Sequence, residues 1–197
     1  MPRVSDDHLE RRRQQILDAA RRCFLRKGFH LTSMQDVFAE SGLSAGAVYR
    51  YFKSKNEIIY AIATEKQSGA VKLLETIIKE DPLPSLEEII ERFFGYVQSI
   101  LDDGGALRVA PQVWAEALHD PAYQAIVVDL FTGVRSWWTE LASRMRDAGR
   151  LPADADPEAV GATLLCVMPG FVLQRMLAGD VDASTLTAGF HAFAGAR

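Results

Sequence analysis

The residues that could do chemistry crowd into one short stretch. Gly42-Leu43-Ser44-Ala45-Gly46 has the Gly-x-Ser-x-Gly form of a hydrolase nucleophile elbow. Such a serine is reactive only where a strand turns sharply into a helix above a parallel sheet. Here a helical pattern precedes the motif, and the sequence downstream offers no strands to build a sheet. His8, His30, His119 and His191 are scattered with no pair at metal-ligand spacing, and Cys23 and Cys166 form no Cys-x-x-Cys. A metal site and a disulfide scaffold are therefore disfavoured, and a reducing interior is expected. Gly104-Gly105 lacks the strand and third glycine of a dinucleotide loop, so no cofactor and no catalytic residue is assigned.

The same stretch reads better as a binding surface. Residues 33–55 give a short helix, a turn at Gly42, an N-cap at Ser44 and a second short helix over 45–52. That is helix-turn-helix spacing, with Val37, Leu43 and Val48 as the apolar residues that hold the pair together. Helix 45–52 exposes Ala45, Gly46, Tyr49 and Arg50 along one side. Small residues at its start allow close backbone approach to DNA; Tyr49 and Tyr51 offer hydroxyls, and Arg50, Lys53 and Lys55 offer charge. The net charge of −4 is unevenly spread: residues 1–55 hold 11 Lys and Arg against 6 Asp and Glu, and residues 56–197 hold 11 against 20. A basic head on an acidic body can aim one face at phosphate. On charge alone, Arg11-Arg12-Arg13 and Arg21-Arg22 fit a solvated helix face equally well.

The elements that must position these groups are helical. At 197 residues, 48% hydrophobic and 24% charged, the chain can bury a core without staples. Ile16, Ala20, Cys23 and Phe24 form a 3.6-residue stripe closed by Gly28. Ser54-Lys55-Asn56-Glu57 and Ser85-Leu86-Glu87-Glu88 read as capping boxes; the first opens a helix toward Ile78, the second one ending by Asp103-Gly104-Gly105. Asp120-Pro121 and Asp156-Pro157 open helices over 121–148 and 157–179, and a last helix spans 183–194. Ala125–Phe131 and Val48–Phe52 alone have strand-like composition, and both lie between helical cues. The expectation is an all-α fold of about nine helices. The N-terminus has no apolar signal core, and the run Leu164–Leu173, which contains Pro169-Gly170, is short for a membrane helix. A cytoplasmic protein without a membrane partner is expected.

These residues resemble the TetR family of bacterial repressors. Asp36, Val37, Gly42, Leu43, Ser44, Gly46, Val48, Tyr49, Phe52 and Lys55 fall on the family signature, and Ala20, Phe24 and Gly28-Phe29 match its first helix. Phe38 stands where the family usually has alanine at the helix crossing, Ser41 replaces another alanine, and Tyr51 replaces the common histidine. The resemblance implies a DNA-binding domain over 1–54 and a ligand-binding and dimerisation domain over 55–197. Its DNA contacts would fall on Thr32, Ser33, Ser44, Ala45, Gly46, Tyr49, Arg50 and Tyr51, with Lys55 on a phosphate. Ser33 and Ser44 are expected to cap their helices whether or not DNA is present.

Function is then expected to be sequence-specific transcriptional regulation, by a repressor that a small-molecule inducer releases from its operator. A homodimer would sit on a roughly palindromic site, packed through helices 157–179 and 183–194, with Val160, Leu164, Val167 and Phe171 as an apolar stripe. Pro169 inside that stretch should kink it. An apolar or aromatic inducer would meet Phe93, Trp114, Trp137, Met168 and Phe171, with Arg108, Gln112, Glu116 and Gln174 as polar contacts. Plain core packing is the rival for each ring. The alternative of another class is an all-helical small-molecule-binding protein or enzyme whose basic head contacts protein; deleting residues 1–53 separates the two.

Overall fold

The computed structural model describes residues 6–103 and 106–195. The described residues contain nine α-helices and no strand: α1 (Asp6–Lys27), α2 (Met34–Ser41), α3 (Ala45–Tyr49), α4 (Lys55–Ile78), α5 (Leu86–Asp102), α6 (Ala110–Ala117), α7 (Pro121–Asp147), α8 (Pro157–Leu177) and α9 (Ala183–Gly195). A 3-10 turn, Ala106–Val109, precedes α6.

Most helix ends follow from local chemistry. The hydroxyls of Ser33, Ser44 and Ser85 accept the N–H of Asp36, Ala47 and Glu88, three residues on, and so satisfy donors that a helix start leaves free. Asp156 accepts the N–H of Glu158, with Pro157 at the first helical position. Gly42 ends α2 at φ +67°, a conformation other residues adopt at a cost. One box departs from expectation. Ser54 accepts the Glu57 N–H at 3.2 Å, but the Glu57 carboxylate reaches past Ser54 to the N–H of Lys53, at 2.7 Å. Helix α3 is also shorter than 45–52. It stops at Tyr49, and the N–H groups of Tyr51 and Phe52 both turn back to the carbonyl of Val48, at 2.9 and 3.0 Å. Gly104-Gly105 lie outside the described residues.

The chain divides into two compact units: residues up to 65 with 105–127, and residues 66–104 with 128 onward. In the first, Ile16, Leu17, Ala20 and Phe24 of α1 bury with Val37, Val48, Phe52, Ile58 and Ile62. The expected α1 stripe is thus the buried face. Val109, Val113, Ala117 and Tyr123 complete this core. That packing draws 105–127 into the unit that holds the head, so the unit boundary differs from the 54/55 division of the sequence reading.

The second unit centres on rings. Phe93 meets Phe94 and Trp138 edge to face, with centroids 5.2 and 4.8 Å away, and Phe94 meets Phe171 at 5.1 Å. Helix α5 packs on α8 and α9. Arg175 of α8 clasps both carboxylate oxygens of Asp102 at 3.0 and 2.9 Å, and Gln98 accepts the Ala183 N–H at the start of α9. Helix α8 continues through Pro169 as one 21-residue helix, ending two residues short of the expected 157–179. By length and composition alone it could cross a membrane, with a mean hydropathy of 1.5 over 18 residues.

The inward face of α8 carries Gly161, Leu164, Leu165, Phe171 and Val172. Leu164 and Phe171, expected on the dimer stripe, are thus buried within the chain, and Val160 and Val167 are half-buried. The exposed stripe is Cys166, Gly170, Leu173 and Leu177, at intervals of four, three and four residues.

Candidate nucleic-acid interface

Helices α2 and α3 form a two-helix step on the α1 core. Val37 and Val48 are fully buried at its heart, and Leu43 and Tyr51 pack against the same cluster. Gln15 of α1 ties the step from below, its side-chain N–H donating to the carbonyl of Ser41 at 2.8 Å. Ser41, the family's usual alanine, is buried and donates its hydroxyl to the carbonyl of Phe38 at 3.1 Å.

On the outward side, Ser44, Ala45, Gly46, Tyr49 and Arg50 are all exposed. Ser44 is the N-cap of α3, and the helix α2 precedes it rather than a strand. The two tyrosines divide as their neighbours dictate: Tyr51 is half-buried on the core, whereas Tyr49 is 41% exposed. The Tyr49 ring rests edge to face on Phe38, with centroids 5.3 Å apart at 68°. Its carbonyl accepts from the Lys53 ammonium at 2.6 Å.

The basic residues of this unit differ in what they face. Arg22 and Arg26 both donate to Glu40, at 2.7 and 2.8 Å, and these bonds hold that carboxyl below its usual range. Arg21 pairs with Asp18 and Glu65, and Lys27 with Asp36. Lys27, then the Ser33 N–H and hydroxyl, depress the Asp36 carboxyl strongly. Much of the head's positive charge is therefore matched by its own acids. Among the described residues from 44 to 55, Arg50 is the cation that no protein group takes up, and it is exposed.

Three other expected contacts have partners within the protein. Thr32 is 2% exposed and donates its hydroxyl to the Gly28 carbonyl at 2.8 Å. Ser33 is exposed, but its hydroxyl is engaged with Asp36 in the capping box. Lys55 turns its ammonium to the carbonyls of Phe29 and His30, at 2.9 and 3.4 Å, and over the Phe29 ring at 4.4 Å. Burial lowers its pKa, and Glu116 partly offsets the shift. This lysine pins the α1–α2 loop to the start of α4.

The nine expected ligand contacts divide between the units. Arg108, Gln112, Trp114 and Glu116 lie in the first, where Gln112 accepts the Phe29 N–H at 2.5 Å and Glu116 faces His30 at 3.1 Å. Phe93, Trp137, Met168, Phe171 and Gln174 lie in the second. Phe93 and Phe171 share the ring cluster through Phe94; Trp137 and Met168 are half-buried and Gln174 is exposed. The fully buried tryptophan is Trp138, beside the expected contact Trp137, and its indole N–H has no acceptor among the described residues. A cleft of about 870 Å³ in this unit is lined instead by Glu80, Leu83, Arg92, Met145 and Arg150 among others.

Comparison with known proteins agrees with this head. Residues 16–62 match the family described as bacterial regulatory proteins, tetR family, and residues 86–195 match the C-terminal region of BetI-type transcriptional repressors. The chain belongs to the TetR family. This TetR-family protein is a sequence-specific DNA-binding transcriptional regulator. It is similar to the HTH-type transcriptional repressor Rv1474c of Mycobacterium tuberculosis, 29% identical over 187 residues that span 91% of this chain and 90% of that one. Its fold is that of the fatty acid degradation regulator FadR from Bacillus halodurans, with a TM-score of 0.78 at 17% identity over 100% of this chain and 99% of that one. It is also that of FadR from Bacillus subtilis in complex with stearoyl-CoA, with a TM-score of 0.77 at 18% identity over 93% and 97%.

Proposed function

We propose that this TetR-family chain is a repressor that reads its operator through Ser44, Ala45, Gly46, Tyr49 and Arg50. The observation that carries the reading is the exposed side of α3 and its following turn. It combines a small-residue approach surface, an exposed tyrosine and one cation, Arg50, that no group among the described residues takes up. Backbone and small residues fit against phosphate and sugar, while a tyrosine hydroxyl and a guanidinium can reach base edges. The protein acts by binding rather than catalysis, in the cytoplasm where its DNA lies.

The exposed stripe Cys166, Gly170, Leu173 and Leu177 of α8, with Phe193 of α9 82% exposed, is covered in this reading by a second copy. Only 22% of the apolar α8 window is buried by the chain itself. A two-fold pairing there matches like to like and calls for a roughly palindromic operator. Residues 1–54 then supply DNA reading, and 55–197 supply dimerisation and ligand response. The inducer is a small apolar or aromatic molecule, as the ring-rich second unit and the stearoyl-CoA complex of B. subtilis FadR support. An acceptor atom on it would satisfy the buried Trp138 N–H, whose unmet bond costs about 1–3 kcal/mol.

Selection of duplexes from a random pool by the full-length protein tests the reading. Enrichment of one inverted-repeat motif supports it, and a pool unchanged after repeated rounds overturns it.

A further inference from the structure

We propose that Phe38 is a positioning residue for DNA reading: its ring fixes the direction in which Tyr49 presents its hydroxyl, and so sets base preference at the position Tyr49 meets. The inference rests on the reading of α3 as the groove-facing helix.

Tyr49 closes a five-residue helix and is 41% exposed, so few atoms surround its ring. Its backbone is held, since the Lys53 ammonium grips its carbonyl at 2.6 Å. What remains free is rotation about the side-chain bonds, which moves the phenol oxygen by several ångströms between staggered wells. The Phe38 ring meets the Tyr49 ring at 5.3 Å and 68°, the edge-to-face arrangement that aromatic quadrupoles favour. That contact favours one well over the others.

Phe38 is itself anchored. It neighbours the fully buried Val37 on α2, its carbonyl accepts the Ser41 hydroxyl, and its ring is half-buried. Among the described residues no group takes up the Tyr49 hydroxyl, which leaves it available to a base edge. A smaller residue at 38 would leave the tyrosine without its rest, and an aliphatic one would support it without the directional preference.

The test uses full-length protein carrying Phe38→Ala, Phe38→Leu, Phe38→Tyr or Tyr49→Phe, each set to select duplexes from the same random pool, with melting temperatures measured alongside. Tyr49→Phe should flatten preference at one position of each half-site. Phe38→Ala and Phe38→Leu should flatten that same position by at least about fivefold and spare the others, while Phe38→Tyr, which keeps the ring, should retain it. If the alanine variant does not fold, the leucine and tyrosine variants decide. A leucine variant as selective as the original overturns the inference, as does a loss spread evenly over all positions. A Tyr49→Phe protein that selects the original motif unchanged also overturns it, and leaves DNA binding by the head intact. If the original protein enriches no motif, the inference falls together with the reading beneath it.

Discussion

The backbone N–H of Phe29 donates to the side-chain oxygen of Gln112, 2.5 Å away and 83 positions later in the chain. The carbonyl of the same Phe29 accepts from Lys55. One residue of the α1–α2 loop is therefore held through both of its backbone polar groups, by α6 and by α4, just before the helix pair proposed to meet DNA. Gly28 lies under this grip at φ +81°, with Gln112 Oε1 3.2 Å from where a Cβ would stand.

Gln112→Ala should remove that acceptor and destabilise the protein by about 1 kcal/mol. For a chain of this size the melting temperature should fall by about 2–4 °C. Gly28→Ala should cost more, because it adds backbone strain to the crowding. Thermal melts followed by circular dichroism check both.

Lys55→Met keeps the aliphatic stem but removes the ammonium from two carbonyls and a ring face. Stability should drop by about 1–2 kcal/mol, since charged donors contribute more than neutral ones. The salt dependence of duplex binding should stay nearly unchanged if the loop, and not a phosphate, is what this lysine holds. A fall of about one in the log–log salt slope would return Lys55 to the phosphate contacts.

Acid should loosen the head through Asp36. Lys27 and Ser33 depress this carboxyl below its unfolded value, so its stabilisation is fully present at neutral pH. It begins to fade as pH drops below the unfolded carboxylate value of about 4 and is gone only once pH has fallen through the depressed folded value. Asp36→Asn should melt below the original protein at pH 7, and the gap should narrow steadily once pH drops below about 5 and close only in strong acid, below the folded carboxyl's depressed value. A gap independent of pH would mean that the carboxylate charge contributes nothing.

Much of this fold could be read from the sequence, for a physical reason. The caps at Ser33, Ser44, Ser85 and Asp156 act over two or three residues, so composition at one point fixes the geometry nearby. Helix α6 was not legible: Val109 at its start makes no side-chain cap, and Pro111 stands at its second position. Nor was the orientation of α8, where apolar residues lie on both faces and no periodicity marks which side the chain buries. At the candidate site the motif located the outward residues. It could not show that Thr32 bonds back to Gly28 or that Lys55 turns to the loop, because those partners are set by packing across the unit.

The exposed stripe on α8 gives an oligomer prediction. Leu173→Glu with Leu177→Glu should yield a folded monomer, whereas Leu164→Glu, 5% exposed, should fail to fold. Equilibrium sedimentation at micromolar concentration distinguishes these outcomes, and a dimer that survives both surface charges would place the contact elsewhere.

The most direct measurement is titration of the selected duplex at several salt concentrations, with the original protein, Arg50→Ala and Tyr49→Phe. The original should bind with a Kd of about 10 nM or tighter and weaken steeply with salt, as counterions leave the phosphates. Arg50→Ala should lose about 1–3 kcal/mol of discrimination against a scrambled duplex if its guanidinium reads a base. Undetectable or salt-insensitive binding, or variants that discriminate as the original does, would contradict the account.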